Sequence, residues 1–443
     1  MRGTPYSDPH PFLARVRISD YRSIASCDVP LGALTVLAGY NASGKSNFLD
    51  AIRFVRDALA SSPASALAAR GGIERVLRRA SGAGETPDRF GIEFALNLPT
   101  DDDVAGAPGE PRPTRPASYR IEIGRAASAR RAGHVVLREE CVMALPDGST
   151  ESFRVTPDSF ESTPSLAAAA DAAGRSSGDR LLLLAAALVG PFKPVESALL
   201  DMAFYDFDST ALRAVDDDAR RSTRLGEDGS HIGHVLGLLA AESPRRKQSV
   251  DNFMGAVVPD LLGIDERREG DFSALQARFW SGENQSPLPL LDAVREGRTQ
   301  AGDPHVEVFY QRQLSEGTVR AAGVFTALEQ PDAASGAIPF LAIEEPELAI
   351  HPSRVASIFE AADSAARRTQ VLLTTQSSDL LDDEYVRPEH LRMVEMVHGV
   401  SYIGELGEAT RRHLQENPAD LAELHRKQQL RPAQLTDGRG VRR

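Results

Sequence analysis

The sequence predicts an α/β protein: a strand-and-helix core built from both ends of the chain, an antiparallel β lobe, and a mostly helical insertion. Three observations carry this. Short apolar runs alternate with helical spacing at both ends. Strand-like segments follow one another between Phe90 and Val155. From about Pro164 to Pro259 the periodicity is mostly helical.

Taken in order, Phe12–Ile18 and Ile24–Leu31 alternate loosely, and the apolar run from Ala33 to Ala38 ends at Gly39 as a buried strand would. Phe48, Ile52, Val55 and Leu59 then share one face of a helix running from Ser46. Phe90–Leu98, Tyr119–Gly124 and His134–Met143 read as strands. The stretch Pro99–Ala117, rich in Pro, Gly and Asp, is expected to be a mobile loop. In the helical middle, Leu181–Val189, Ile232–Leu239 and Val250–Leu262 supply apolar faces, with a short strand at Met202–Tyr205. A polar gap, Gly282–Pro304, precedes a strand at Val306–Tyr310, a helix over Thr318–Leu328 and a strand at Ile338–Ile343. A helix near Pro352–Ala366, a strand at Val371–Thr375, a hairpin at His398-Gly399 and a charged helical tail complete the chain.

Composition narrows the function class. With 443 residues, 42% hydrophobic and 26% charged, the chain can bury a real core and is not disordered. Cys27 and Cys141 alone cannot form a disulfide scaffold or a cysteine-based metal centre, and they suit a reducing compartment, the cytoplasm. The longest apolar run, Leu181–Val189, is about half of a membrane span, and no leader sequence is visible. A net charge of −13 excludes a chain coated uniformly for nucleic acid but allows a local basic patch. Only Lys45, Lys193, Lys247 and Lys427 are lysines among the 50 basic residues, so a lysine here marks a position where arginine was not used.

One motif decides the chemistry. Gly39-Tyr40-Asn41-Ala42-Ser43-Gly44-Lys45-Ser46 fits G-x-x-x-x-G-K-[ST], entered by an apolar strand and left by an amphipathic helix. Its glycines let backbone N–H groups turn toward a β-phosphate, and the helix N-terminus adds its positive end. Lys45 can reach the β- and γ-phosphates, and Ser46 can place its hydroxyl on Mg²⁺. Farther on, the apolar strand Phe340–Ile343 ends in Glu344-Glu345-Pro346-Glu347, which suits a Walker B element. Glu344 would hold Mg²⁺ through water, and Glu345 would polarise an attacking water. Gln313-Leu314-Ser315-Glu316-Gly317-Thr318 opens a helix shortly before that strand. It reads either as a second anion site or as an ordinary N-cap by Ser315.

This order of motifs resembles the ABC-type ATPase heads of the SMC, RecF and overcoming-lysogenisation-defect group, above all the bacterial AAA-family ATPases found in anti-phage defence loci. Tyr21-Arg22-Ser23-Ile24, Asn47, Asp228-Gly229 and His351-Pro352 add to the likeness, as does Thr374-Thr375-Gln376-Ser377. It covers the first sixty residues and about Val306–Asp383 well, and the middle only by order of elements. The resemblance implies an ATP-dependent homodimer or higher oligomer, joined head to tail. Each ATP-Mg²⁺ would contact Gly39, Asn41, Gly44, Lys45, Ser46 and Asn47 of one subunit and Ser315 and Gly317 of the other. Two departures point to slow turnover: Gln376 stands where these heads usually carry histidine and cannot carry a proton charge, and no glutamine precedes Gln248 to serve as the Q-loop residue. Catalysis would thus rest on Glu345 and Gln376, with Ser46 and Glu344 on the metal.

The expected layout is residues 1–62 as the N-terminal part of the core, 63–160 as the β-rich lobe and 161–304 as the mostly helical insertion. Residues 305–405 would be the C-terminal part of the core, and 406–443 a helical, basic tail. Expected partners are a second copy and a separate effector protein (a toxin or nuclease), with DNA a further candidate and no membrane. About sixty residues follow Ser378, too few for an appended nuclease domain, so a nuclease is expected on another chain. The alternative function is a nucleotide-bound scaffold that barely hydrolyses. Arg220-Arg221-Ser222-Thr223-Arg224 and Arg245-Arg246-Lys247 read as solvated helix faces before phosphate-contacting ones, and Arg125–Arg131 as a loop. His231 and His234 lack a third metal ligand nearby.

Overall fold

A computed structural model describes residues 11–79, 86–99, 114–126, 133–164, 166, 180–217, 222–281, 305–382 and 385–436. The chain opens with β1 (Leu13–Tyr21), β2 (Ile24–Pro30), β3 (Leu34–Ala38), α1 (Lys45–Ala60), α2 (Pro63–Ala69) and α3 (Ile73–Val76). The strands β4 (Arg89–Pro99), β5 (Thr114–Arg125), β6 (His134–Ala144), β7 (Thr150–Val155) and β8 (Phe160–Ser162) follow. Next come α4 (Leu182–Val189), α5 (Lys193–Leu200), β9 (Ala203–Tyr205), α6 (Ser209–Leu212), α7 (Ile232–Glu242) and α8 (Pro244–Val257). Then β10 (Leu261–Glu269), β11 (Phe272–Trp280), β12 (Val306–Tyr310), α9 (Glu316–Glu329), α10 (Pro331–Ser335) and β13 (Phe340–Glu344). The remainder holds α11 (Ala356–Ala366), β14 (Gln370–Thr375), β15 (Leu391–Val397), β16 (Val400–Gly404), α12 (Glu408–Glu416), α13 (Asp420–Arg426) and α14 (Ala433–Thr436). These elements divide into two compact units: Met1–Met202 with Arg387–Pro418 and Lys427–Arg443, and Ala203–Val386 with Ala419–Arg426.

In the first unit an antiparallel sheet runs β2-β1-β4-β5-β6-β7-β8, and a second set runs β16-β15-β3, with β15 parallel to β3. Alternation builds the first sheet. Val16 and Ile18 of β1 are buried, while Arg15 and Arg17 project outward to Asp28 at 2.8 and 3.2 Å. The predicted face of α1 is the one that packs, since Phe48, Ile52, Val55 and Leu59 are all buried. Tyr21, Phe54 and Phe90 meet edge to face with centroids 5.3–6.2 Å apart, which ties α1 to the sheet. Asp50 of α1 collects the Tyr21 hydroxyl at 2.6 Å, Arg70 at 2.8 Å and Arg22 at 2.8 Å.

The β lobe also contains a buried carboxylate. Glu139 of β6 is 3% exposed and accepts from Leu182 N–H at 2.6 Å, Leu183 N–H at 2.9 Å and the Tyr119 hydroxyl at 3.0 Å. It therefore caps the N-terminus of α4, where a negative charge is favoured. Burial still pushes its carboxyl up to about 7, the hydrogen bonds opposing.

In the second unit the parallel set β14-β13-β9 is buried along β14 and nearly all of β13, as central parallel strands are. The antiparallel set β10-β11-β12 lies in this unit too. Its hairpin turns at Gly270-Asp271, between paired Glu269 and Phe272, with Gly270 at φ 61° as such a turn requires. This hairpin is absent from the sequence reading. Glu266 to Glu269 form an unbroken charged run that hides the alternation, although the Gly-Asp pair was a usable signal.

Several expectations change in detail. Of the loop expected at Pro99–Ala117, residues 100–113 lie outside the described residues, but Thr114–Ala117 already belong to β5, paired with Leu96–Pro99. The strand expected from Ile338 begins at Phe340, past Pro339, which has no N–H to give a ladder. Pro352–Arg354 form a 3₁₀ turn, and the regular helix starts at Ala356. Of the Arg245-Arg246-Lys247 cluster only Arg245 is exposed as expected of a solvated face. Arg246 pairs with Glu329 at 2.9 Å, and Lys247 is 6% exposed, bonded to Asp251 at 2.7 Å and Asp265 at 3.1 Å. Arg224 pairs with Asp332, whereas Arg220, Arg221, most of Arg125–Arg131, Gly282–Pro304 and the last seven residues lie outside the described residues. Among the described residues no helix is long and apolar enough to cross a membrane.

Candidate phosphate-binding and carboxylate sites

In the first unit β3, buried along its whole length, delivers the chain into the loop Gly39–Gly44. Two glycines are fixed by contact. A Cβ on Gly39 would stand 2.4 Å from the Val394 carbonyl oxygen, and one on Gly44 would stand 2.1 Å from Ser401 Oγ. Gly44 also sits at φ 111°, in the left-handed region that side chains disfavour. The helix that follows has no side-chain cap and no acidic residue in its first turn. Its leading N–H groups and positive end are therefore not answered by any carboxylate of their own.

Lys45 is 6% exposed and folds back over the loop, donating to Gly39 O at 2.7 Å and Tyr40 O at 3.1 Å. Those carbonyls are neutral, so an anion at the loop would hold the ammonium more strongly. Ser43 Oγ is buried with no hydrogen-bond partner. Ser46 and Asn41 are exposed, and Asn47 is half-buried. Glycine-forced room, an uncapped helix start, a buried cation and an orphan hydroxyl together fit a phosphate group.

The loop is braced from behind by residues the motif does not contain. Ser401 of β16 donates to Ser43 O at 2.7 Å and lies 2.7 Å from Ser23 Oγ, which accepts from Asn47 Nδ2 at 2.6 Å. Ser23 sits in the β1–β2 turn, which explains why Tyr21-Arg22-Ser23-Ile24 accompanies the loop. Ser401 and Val394 were missed, and no local signal marks them. The Tyr40 hydroxyl, half-exposed, accepts from the Gln428 N–H in the same unit, and burial raises its pKa.

In the second unit the predicted carboxylates lie at the ends of β13 and β14. Glu344, half-buried, is in register with Thr374. Glu345 turns out of the strand at φ 44°, and its N–H is held by Thr374 O at 3.1 Å and Thr374 Oγ1 at 3.2 Å. Gln376 Nε2 donates to Glu345 Oε2 at 3.0 Å, so these two predicted residues are in direct contact. Glu347, which received no role from sequence, is 8% exposed and accepts from the Thr375 hydroxyl.

Ser315, exposed, caps α9 by accepting from Thr318 N–H at 3.2 Å, the ordinary role open to it from sequence. Gly317 is set by close approach as well, since a Cβ there would lie 2.2 Å from the Ala349 carbonyl oxygen. The helix start of the Ser315–Thr318 segment thus packs on the turn that follows the carboxylates. His231 pairs with Asp216 at 3.3 Å and His234 with Glu266 at 4.0 Å. Among the described residues no group of three His, Cys, Asp or Glu could hold a metal ion. Glu344 and Ser46 each still offer the hard oxygen donor that Mg²⁺ prefers.

Comparison with known proteins adds the following. The model of a family described as "AAA domain, putative AbiEii toxin, Type IV TA system" matches residues 34–383. No curated protein matches the sequence. An SMC head bound to the C-terminal winged-helix domain of ScpA is similar at 14% identity, covering 90% of this chain and 99% of that one, with a TM-score of 0.49. The SMC head with an extended coiled coil from Pyrococcus furiosus, bound to the C-terminal domain of ScpA, gives 12% identity, 92% and 99% coverage and a TM-score of 0.47. The SMC head domain from Thermotoga maritima gives 12%, 89% and 98%, and 0.39.

Proposed function

Because the chain belongs to this AAA-domain family, we propose that it is an ATPase that binds ATP with Mg²⁺, hydrolyses it slowly, and uses turnover to switch a defence or DNA-processing complex. The observation that carries the reading is the phosphate loop. Gly39 and Gly44 are forced by their surroundings, and Lys45 lies buried at a helix start without a cap. In this reading Lys45 swings from the Gly39 and Tyr40 carbonyls to the β- and γ-phosphates, while the N–H groups of Gly44 to Asn47 orient them. Mg²⁺, when bound, would neutralise phosphate charge, with the Ser46 hydroxyl and the Glu344 carboxylate as its protein donors.

Glu345 is the general base in this proposal. Its carboxylate accepts the proton of the attacking water, and Gln376 fixes one of its oxygens so that the other faces the reacting atom. The exposed Ser315 and the neighbouring Gly317 would meet the nucleotide held by a second copy, joining two subunits head to tail. ATP bridging two surfaces then favours the closed dimer, and hydrolysis releases it.

The test is steady-state ATP turnover of wild type against Glu345→Gln, with and without duplex DNA, together with the oligomeric state in saturating ATP and Mg²⁺. Turnover lost in the variant and an ATP-trapped dimer are expected, and stimulation by DNA would identify the sensed ligand. A variant that stays monomeric, or keeps wild-type turnover, sinks the proposal.

A second reading is favoured by the Gln376–Glu345 hydrogen bond, because an amide engages the base without being able to exchange a proton with it. Here the protein is a nucleotide-bound scaffold for a separate effector, a toxin or nuclease. Co-purification of that effector, undiminished by Glu345→Gln, would select this reading.

A further inference from the structure

We infer that Glu347 is a positioning residue, holding the turn that carries Gln376 and, through Gln376, the carboxylate of Glu345. The inference rests on the proposed role of Glu345, and it concerns a residue to which neither that reading nor the motif gives a task.

Four contacts make the chain of support. The Thr375 hydroxyl donates to Glu347 Oε1, and the Ser377 N–H donates to that same hydroxyl oxygen at 2.9 Å. Gln376 lies between these two anchored residues, and its amide reaches Glu345 Oε2 at 3.0 Å. On the other side, Thr374 holds the Glu345 N–H. The turn after β13 and the turn after β14 are therefore laced together at three successive residues, 374, 375 and 376. Glu347 supplies the middle link.

The cost of that link argues for its purpose. Glu347 is 8% exposed, and its Oε2 is buried with no hydrogen-bond partner. Burying a carboxyl oxygen without a partner is unfavourable, and an apolar side chain would fill the place without that penalty. Burial, and after it the nearby Glu345, raises the Glu347 pKa. What an apolar residue cannot do is accept from Thr375, whose buried hydroxyl would be left with only the longer 3.4 Å contact to Ser377 O. The acceptor is thus the property that this site keeps.

The experiment uses the full chain labelled with ¹⁵N-glutamine, in which the Gln376 side-chain NH₂ signal is identified by its loss in Gln376→Leu. Without nucleotide, that signal should shift in Glu347→Ala and in Thr375→Val. It should stay in place in Glu347→Gln and Thr375→Ser, which keep the acceptor and the hydroxyl. With ATP and Mg²⁺, Glu347→Ala and Thr375→Val should each lower kcat about 10-fold or more, with ATP affinity within about 2-fold of wild type. The double variant should be no worse than either single one, because both remove the same link.

A Gln376 signal that stays put in Glu347→Ala, losses that multiply in the double variant, or equal loss in the two conservative variants would each overturn the inference. If Glu347→Ala fails to fold, the contrast between Thr375→Val and Thr375→Ser carries the same test. A wild type that turns over no faster than Glu345→Gln, while the signal moves as expected, refutes the hydrolytic reading and leaves the positional link standing.

Discussion

The phosphate loop and the carboxylate turn are built by opposite means. At the loop, shape is set by what is absent: Gly39 and Gly44 have no room for a Cβ, and α1 has no capping side chain. At the carboxylate turn, shape is set by what is present: Thr374 accepts from the Glu345 N–H, while Thr375 and Gln376 donate to the Glu347 and Glu345 carboxylates. A site defined by forbidden side chains tolerates almost no substitution but needs few partners. A site defined by side-chain contacts depends on many partners, each contributing about 1 kcal/mol.

The sharpest way to break this comparison is Glu345→Gln. It should lower ATP turnover by roughly 10²–10⁴-fold while ATP still binds; a loss of binding in equilibrium titration would mean that the two regions cannot be treated separately. Next in size is Gly44→Ala. The left-handed φ costs about 1–2 kcal/mol and the overlap with Ser401 about 1–3 more, so nucleotide binding should disappear and the melting temperature should fall. Pairing it with Ser401→Gly should recover part of that stability. No recovery would argue against the contact as the cause.

A third measurement separates pH effects at the carboxylate turn from those of the β lobe. Glu139 titrates at about 7 in the folded chain, above its ordinary value of 4.5. The folded state therefore binds more protons than the unfolded one between those pH values. Its contribution is full below about 4.5 and is lost as pH rises through 7. Wild type should lose on the order of 2–3 kcal/mol between pH 5 and 8 from this group, and Glu139→Gln should flatten the thermal-melt profile. The smallest effect belongs to Ser23→Ala, which removes a brace behind the loop. About 1 kcal/mol of stability should go, with ATP affinity reduced only a few-fold.

How much of this was legible in sequence follows from the same contrast. The loop could be read because close approach fixes Gly39 and Gly44 at set positions of an eight-residue motif, and the family inferred from the motif order is the one whose model matches. The contact of Gln376 with Glu345 could not be read, because it depends on β13 and β14 lying in parallel register across some thirty residues. Glu347 received no role of its own from sequence, and only its burial marks it out. Lys247 is the instructive error. A basic cluster next to a helix start reads as surface, yet Asp251 and Asp265, on two different elements, draw this lysine inward. Its being a lysine in an arginine-rich chain was the one clue available.

Ser401 bears on synthesis. It bonds the phosphate loop across 358 positions of sequence. At roughly 5–20 residues per second on a ribosome, the loop would wait some 20–70 s for the strand that braces it. The eight-residue motif thus becomes a finished cradle only once β16 has been made, so nascent chains truncated between the motif and β16 should emerge unable to capture nucleotide, however complete their motif.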